Sequence, residues 1–253
     1  MFLLLAINLP VAFGEDEISV YTEQFYPMNY TDSGGDFGEV KGFATELIRA
    51  VLDDAGYDYE IKMVPWARAL QTIKSRKNVI VYSMGRTVER EDDFYWIGKI
   101  WSMKQHLYGL RSKMDSLPRT LEDAREFRIG VHREDVVHSY LKGKGFTRLI
   151  PNKNVDRNIF LLNRERVDLI PFVDFAVGLS LQRKGYPLNN LVPVIHLPEV
   201  SAVMAIALSK STEEKVARRL KNSYENIKSQ GQYDKIMQPL KGMIEATVLA
   251  PAN

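Results

Sequence analysis

At 253 residues, with 45% hydrophobic and 26% charged side chains, the chain has room for one large domain or two lobes of about 100 residues each, and its composition excludes general disorder. Its 34 basic and 32 acidic residues leave a net charge of +2, so no broad cationic face supports nucleic-acid binding. A small anionic ligand stays open, because that needs only local charge.

The first segment is an uncharged apolar run from Phe2 to Phe13, followed by an acidic cluster. It is too short to span a bilayer, and Ala12-Phe13-Gly14 places small residues where an exporting signal peptidase cuts, so residues 1–14 are expected to be a signal peptide. A basic segment ahead of the run is missing, and a buried N-terminal strand is the competing reading. The sequence contains no cysteine, which rules out disulfides and a lipid-modified cysteine. The expected product is a free periplasmic protein held by its core alone.

Beyond the leader, "ISVYTEQ" reads as a strand. "GFATELIRAVLDDAG" reads as a helix with Phe43, Leu47, Ile48, Val51, Leu52 and Ala55 on one face and Gly56 ending it. "YEIKMV" is a strand, "PWARALQTIKSR" a helix with Pro65 at its first turn, and "NVIVYSM" a strand. The alternation resumes with strand "MKQHLYGL", helix "TLEDAREF", strand "RIGVH", helix "DVVHSYLKGKG", strand "TRLIP", helix "NVDRNIFLLNRER", strand "VDLIPFV" and helix "FAVGLSLQRKG". Strands "LVPVIHL" and "SAVMAIALS" lead to the helices "STEEKVARRLKNSYENIKSQG" and "QYDKIMQPL", the first with a Ser211/Glu214 capping box. Alternating strands and helices predict mainly parallel sheets covered by helices. The phase of the pattern changes near Trp101 to Gln105 and near Leu197 to Ala202, which predicts two crossings that act as hinges around a cleft.

Between the third strand and the aromatics Phe94-Tyr95-Trp96 lies "SMGRTVERE", with Arg86 and Arg90 where the chain turns. Taken alone, such a loop reads as solvated, its cations offset by Glu89 and Glu91. No Walker loop, nucleophile elbow or metal-ligand cluster occurs, and the four histidines are scattered at His106, His132, His138 and His196. No cofactor, metal or catalytic residue is therefore expected.

In order and spacing, "YTEQFYPMNY", "GFATEL", "TVERE" with its aromatics, "RIGV" and "RERVDLIPF" resemble the family 3 extracellular solute-binding proteins, the periplasmic receptors of ABC importers, from about Ile18 to Pro239. The resemblance implies a type II periplasmic-binding-protein fold: two α/β lobes joined by two hinge strands, with the ligand between them. It divides the chain into the leader 1–14, a first lobe over 15–101, a second over 102–199, and a return to the first over 200–253. It also implies a receptor that works as a monomer, closes on an amino acid or related organic acid, and passes it to an inner-membrane permease.

Carried over, the resemblance gives Arg90 the ligand's carboxylate, a task suited to a planar, permanently charged fork of donors. Phe25 becomes an apolar wall, and Ser83 and Gly85 offer hydroxyl or backbone groups. Arg86 matches no typical family position, so ligand contact, bracing of the Arg90 loop and solvation are all open for it. The chain departs from the family at "HREDV", where His132 faces either ligand or solvent and Asp135 caps the next helix. It departs again at Val173, where relatives commonly place a carboxylate for the ligand's amine; Asp174 is one step later, which in a strand turns it to the other face unless a bulge or the strand end restores it. Trp66 and Arg68 either line the rim or pack on the lobe. Glu23, His132 and Asp174 are also candidate ligand contacts; the same fold hosts periplasmic dehydratases of cyclic acids, for which these three are the candidate acids, and also sensory input modules.

Overall fold

The computed structural model describes residues 17–34, 38–153, 155–201 and 203–247. The expected signal peptide, and Ala202 at the second crossing, lie outside these residues.

The first sheet has the order β2-β1-β3-β10-β4, built from β1 (Glu17–Thr22), β2 (Asp58–Met63), β3 (Val79–Arg86), β4 (Phe94–Ser102) and β10 (Val203–Ser209). Strands β2, β1 and β3 run parallel, whereas β10 joins antiparallel to both β3 and β4. A second group orders as β8-β5-β9, from β5 (Gln105–Leu110), β8 (Ile170–Val173) and β9 (Leu191–His196), all antiparallel. Beside it β6 (Ile129–His132) and β7 (Leu149–Asn152) pair in parallel. A parallel bridge from Ile129 to Leu169 ties β6 to the start of β8. Each sheet is thus parallel where strands alternate with helices and antiparallel where the crossing strands join it. A chain that runs out of one sheet and returns has to enter in the opposite sense.

Helix α1 (Phe43–Ala55) buries Leu47, Ile48, Val51, Leu52 and Ala55, the stripe that its periodicity predicts. It ends at Gly56, whose left-handed φ of 66° lets its N–H reach the Asp53 and Leu52 carbonyls. Helix α2 (Trp66–Ser75) starts behind Pro65, and α3 (Val136–Gly143), α4 (Val155–Asn163) and α5 (Asp174–Arg183) cover the second sheet. Helix α6 (Glu214–Ser229) packs on α1, and α7 (Gln232–Glu245) touches α1, α6 and α5, so it reaches helices on both sheets.

Two local expectations fail. "TLEDAREF" forms only a short 3-10 turn, Asp123–Glu126, because the Asp123 carboxylate accepts from the Thr120 N–H and fixes a turn there. The Ser211/Glu214 capping box is absent. Glu213 occupies the N-cap without a side-chain bond, while the neighbouring Thr212 hydroxyl accepts from the Asn78 N–H at 2.8 Å, tying the helix entry to β3.

The crossings lie between β4 and β5 and between β9 and β10. They bond to each other: the Gln105 N–H donates to Ser201 Oγ at 2.9 Å, and the Leu197 N–H donates to the Gln105 carbonyl at 2.8 Å.

Candidate functional site

A cavity of about 80 Å³ sits between the sheets, lined by Glu23, Phe25, Trp66, Ser83, Gly85 and Arg90 from the first side. Met103 and Gln105 come from the first crossing, and His132, Asp135, Val136, Val155, Asn158, Pro171, Phe172 and Val173 from the second side. A wider groove of about 770 Å³ lies outside it and shares Arg90 and Val136.

The first wall is the loop after β1. The Phe25 N–H donates to the Asn29 carbonyl at 2.7 Å, and Asn29 Nδ2 donates to the Glu23 carbonyl at 2.5 Å, closing a tight turn that presents Glu23 and Phe25. Asn29 Oδ1 accepts from the Ser83 hydroxyl, which fixes this turn to β3. Ser83 has a left-handed φ of 59°, and the β10 ladder slips register opposite it, between Ala205 and Ala207. A side chain other than glycine in that region is uncommon, and here it marks the strand's departure from alternation beside the cavity.

Arg90 ends the 3-10 turn Val88–Arg90. Its guanidinium lies 5.7 Å from the Trp66 ring centre, and its Nη1 makes one long bond, 3.4 Å, to the Gly85 carbonyl. Among the described residues no carboxylate stands within ion-pair distance of it. Burial pulls its proton affinity below that of an ordinary guanidinium, with Asp135, Asp93 and Glu89 opposing that pull. A half-buried cation without an ion-pair partner gains from an incoming anion.

Across the cavity, β6 ends in His132, which is 3% exposed. Its Nε2 donates to the Lys153 carbonyl at 3.1 Å and lies 3.2 Å from Glu23 Oε2. That second approach lacks hydrogen-bond geometry, and Glu23 Oε2 is buried with no donor. Burial raises the Glu23 carboxyl to about 7, with His132 lowering it and Asp135 raising it further. Asp135 caps α3, its Oδ1 accepting from the Val137 and His138 N–H groups at 2.6 and 2.9 Å. The Trp66 indole donates to the Glu134 carbonyl at 2.9 Å and so bridges the two sides.

Arg86, Arg68 and Asp174 lie elsewhere. Arg86 ends β3 pointing outward, paired with Glu91 and stacked over Trp96 at 5.6 Å. Arg68 lies exposed on α2, two residues beyond Trp66, where that helix reaches the cavity. Asp174 opens α5 and accepts from Tyr108 at 3.0 Å and meets His106 Nδ1 at 2.7 Å. Pro171, Phe172 and Val173 line the cavity up to the end of β8, whereas Asp174 begins α5 and is held by Tyr108 and His106. Sequence reasoning gave Asp135 a capping role alone and left out Gln105 and Asn158. Gln105 Oε1 is buried without a partner, and its only signal in the sequence was a polar residue opening an apolar strand.

Arg128 and Asp168, from two of the quoted motifs, are structural. Arg128 Nη2 and Nε meet the Asp168 carboxylate at 2.6 and 3.0 Å and clamp β6 to the entry of β8. Among the described residues no helix is long and apolar enough to cross a membrane, and no group of three His, Cys, Asp or Glu is arranged to hold a metal.

No curated protein sequence matches the chain. Among solved structures, a histidine kinase sensor domain with similarity to periplasmic binding proteins superposes with a TM-score of 0.77 at 21% identity, covering 93% of this chain and 98% of that one. An ancestral arginine-binding protein bound to arginine gives 0.75 at 20% identity, with 89% and 98% covered. The arginine-, lysine-, histidine-binding protein ArtJ from Geobacillus stearothermophilus gives 0.75 at 19%, with 89% and 95% covered. At these identities the likenesses establish the two-lobed fold. With residues 18–241 matching the family itself, the chain belongs to the bacterial extracellular solute-binding proteins, family 3.

Proposed function

We propose that this protein is a periplasmic receptor that closes on a small carboxylate-bearing solute, an amino acid or a related organic acid, and delivers it to an ABC importer as a monomer released from its signal peptide. The observation that carries the reading is Arg90, a half-buried guanidinium at the cavity with no carboxylate in ion-pair distance among the described residues. Trp66 shields one face of it, and Phe25, Met103 and Phe172 supply the apolar lining. Solute bridging the two sides would stabilise the closed form by its differential affinity, with no covalent step. Neighbouring structures bound to arginine or glutamine support an amino-acid ligand by analogy of fold.

A second reading is favoured by one comparison, the sensor domain of a histidine kinase. In that case the same closure would signal to a membrane partner. A thermal-shift screen of amino acids, dicarboxylates and cyclic acids on the purified protein, with native mass spectrometry of whatever binds, tests the shared core of both readings. A solute at 100 times its dissociation constant adds about 2.7 kcal/mol of stability. Silence across all acids would remove the carboxylate site, and co-purification with a kinase in place of a permease would favour sensing.

A further inference from the structure

Glu23 is the acidic group that the receptor reading leaves unused, and its surroundings come from both sides of the cleft. The residue follows β1 of the first sheet, whereas His132 ends β6 and Asp135 caps α3 on the second. Its side chain is 16% exposed, and its Oε2 has no donor. His132 cannot supply one, because the single proton on Nε2 goes to the Lys153 carbonyl. Among the described residues the titratable groups lining this cavity are Glu23 and Arg90 from the first side and His132 and Asp135 from the second. Asp135 is committed to two backbone N–H groups. An ionised Glu23 in the closed cleft is therefore a buried acceptor without a donor, facing a second carboxylate. A protonated Glu23 avoids that penalty, and a cleft that opens returns the group to water.

We propose that the cleft closes with a proton on Glu23, so that capture of the solute is coupled to uptake of a proton. The coupling rests on the reading of the cleft as one that opens and closes, and it makes Glu23 a positioning residue for closure. The sign follows from the two states. With about 7 in the enclosed cleft and the ordinary 4.5 for a carboxyl returned to water in an open one, the closed form would bind the extra proton in that window and gain on acidification. Between about pH 8 and about pH 5.5 the closed-to-open ratio rises about 25-fold, and by reciprocity the solute binds more tightly by the same factor wherever closure limits binding.

Because the sequence has no cysteine, a pair of spin labels can be placed in one chain at Lys62→Cys and Lys142→Cys, exposed positions on opposite sides of the cleft, and their separation read by pulsed electron resonance without any solute. The closed fraction should rise on acidification in the otherwise unaltered chain and become independent of pH in Glu23→Gln, whose melting temperature confirms that it folds. A closed fraction that ignores pH, or that responds equally in Glu23→Gln, would overturn the proposal. Carbon-13 titration of the Glu23 carboxyl in the unmutated chain gives a second readout, with a midpoint near 7 expected in the closed form and one near 4.5 throughout counting against it. Silence in the solute screen would count against the receptor, whereas a flat pH response counts against the coupling alone.

Discussion

Arg90 and Arg86 sit four positions apart in one turn, yet only Arg90 reaches the cavity. Arg86 is the exposed last residue of an otherwise largely buried strand, and Glu91 neutralises it there. Arg90 ends a 3-10 turn that reverses the chain and brings its side chain toward Gly85 and Trp66. Arg90→Ala should weaken a carboxylate solute by roughly 10- to 150-fold, the loss of a charge-assisted pair of ~1.5–3 kcal/mol, measured by titration calorimetry. Arg86→Ala should leave that affinity unchanged, since a screened surface pair contributes little to a distant cavity. Equal losses in the two variants would show that the loop, rather than the Arg90 fork, is what the solute needs. The sequence alone separated these arginines only through the family resemblance, because charge and spacing are the same for both. Asp174 was harder still: β8 stops at Val173 and α5 starts at Asp174, and the partners that hold its side chain, Tyr108 and His106, are 66 and 68 residues away in the chain.

Elements whose apolar period was clean were legible in the chain. Helix α1 shows this best: its buried stripe and Gly56 stop follow from period and left-handed capping. Leu52→Ala should cost about 2–5 kcal/mol in urea unfolding, because Leu52 is fully buried in the main core and a cavity would remain. Gly42 is a less visible requirement. Its φ of 118° suits glycine, and a Cβ there would overlap the Met28 and Pro27 carbonyl oxygens, so Gly42→Ala should disturb the joint between the site loop and α1. Loss of stability together with loss of solute affinity is the expected result, read by urea unfolding and calorimetry. The elements misread were those in which a side chain outweighed the pattern. Asp123 fixed a turn within a helix-like stretch, and Thr212 served β3 instead of capping its own helix. The Asp123 bond is local to Thr120, whereas the Thr212 bond reaches Asn78 far away in the chain and leaves no trace in spacing.

For the whole molecule, the two-lobed plan was readable because crossing points change the phase of the pattern, but the chemistry of the cavity was only partly so. Gln105 and Asn158 reach it from a crossing and from α4, which are brought together by folding and by no local motif. Relative to the unfolded chain, the raised Glu23 carboxyl means that the folded, closed protein binds more protons between about 4.5 and about 7. Its contribution to stability therefore falls as pH rises through that window. Urea unfolding across the same range should show that slope in the parent and lose it in Glu23→Gln; identical slopes would place the raised group elsewhere.

The rung between the crossings, from the Gln105 N–H to Ser201 Oγ and from the Leu197 N–H to the Gln105 carbonyl, has a mechanical consequence. Two strands joined in this way cannot swing separately, so the lobes are left with one dominant mode, a rotation about the rung. Gln105 sits on that axis while its side chain also borders the cavity. A solute touching it would press on the pivot itself, and a partner reading the outer surface would need to sense only one angle to know whether the cleft is occupied.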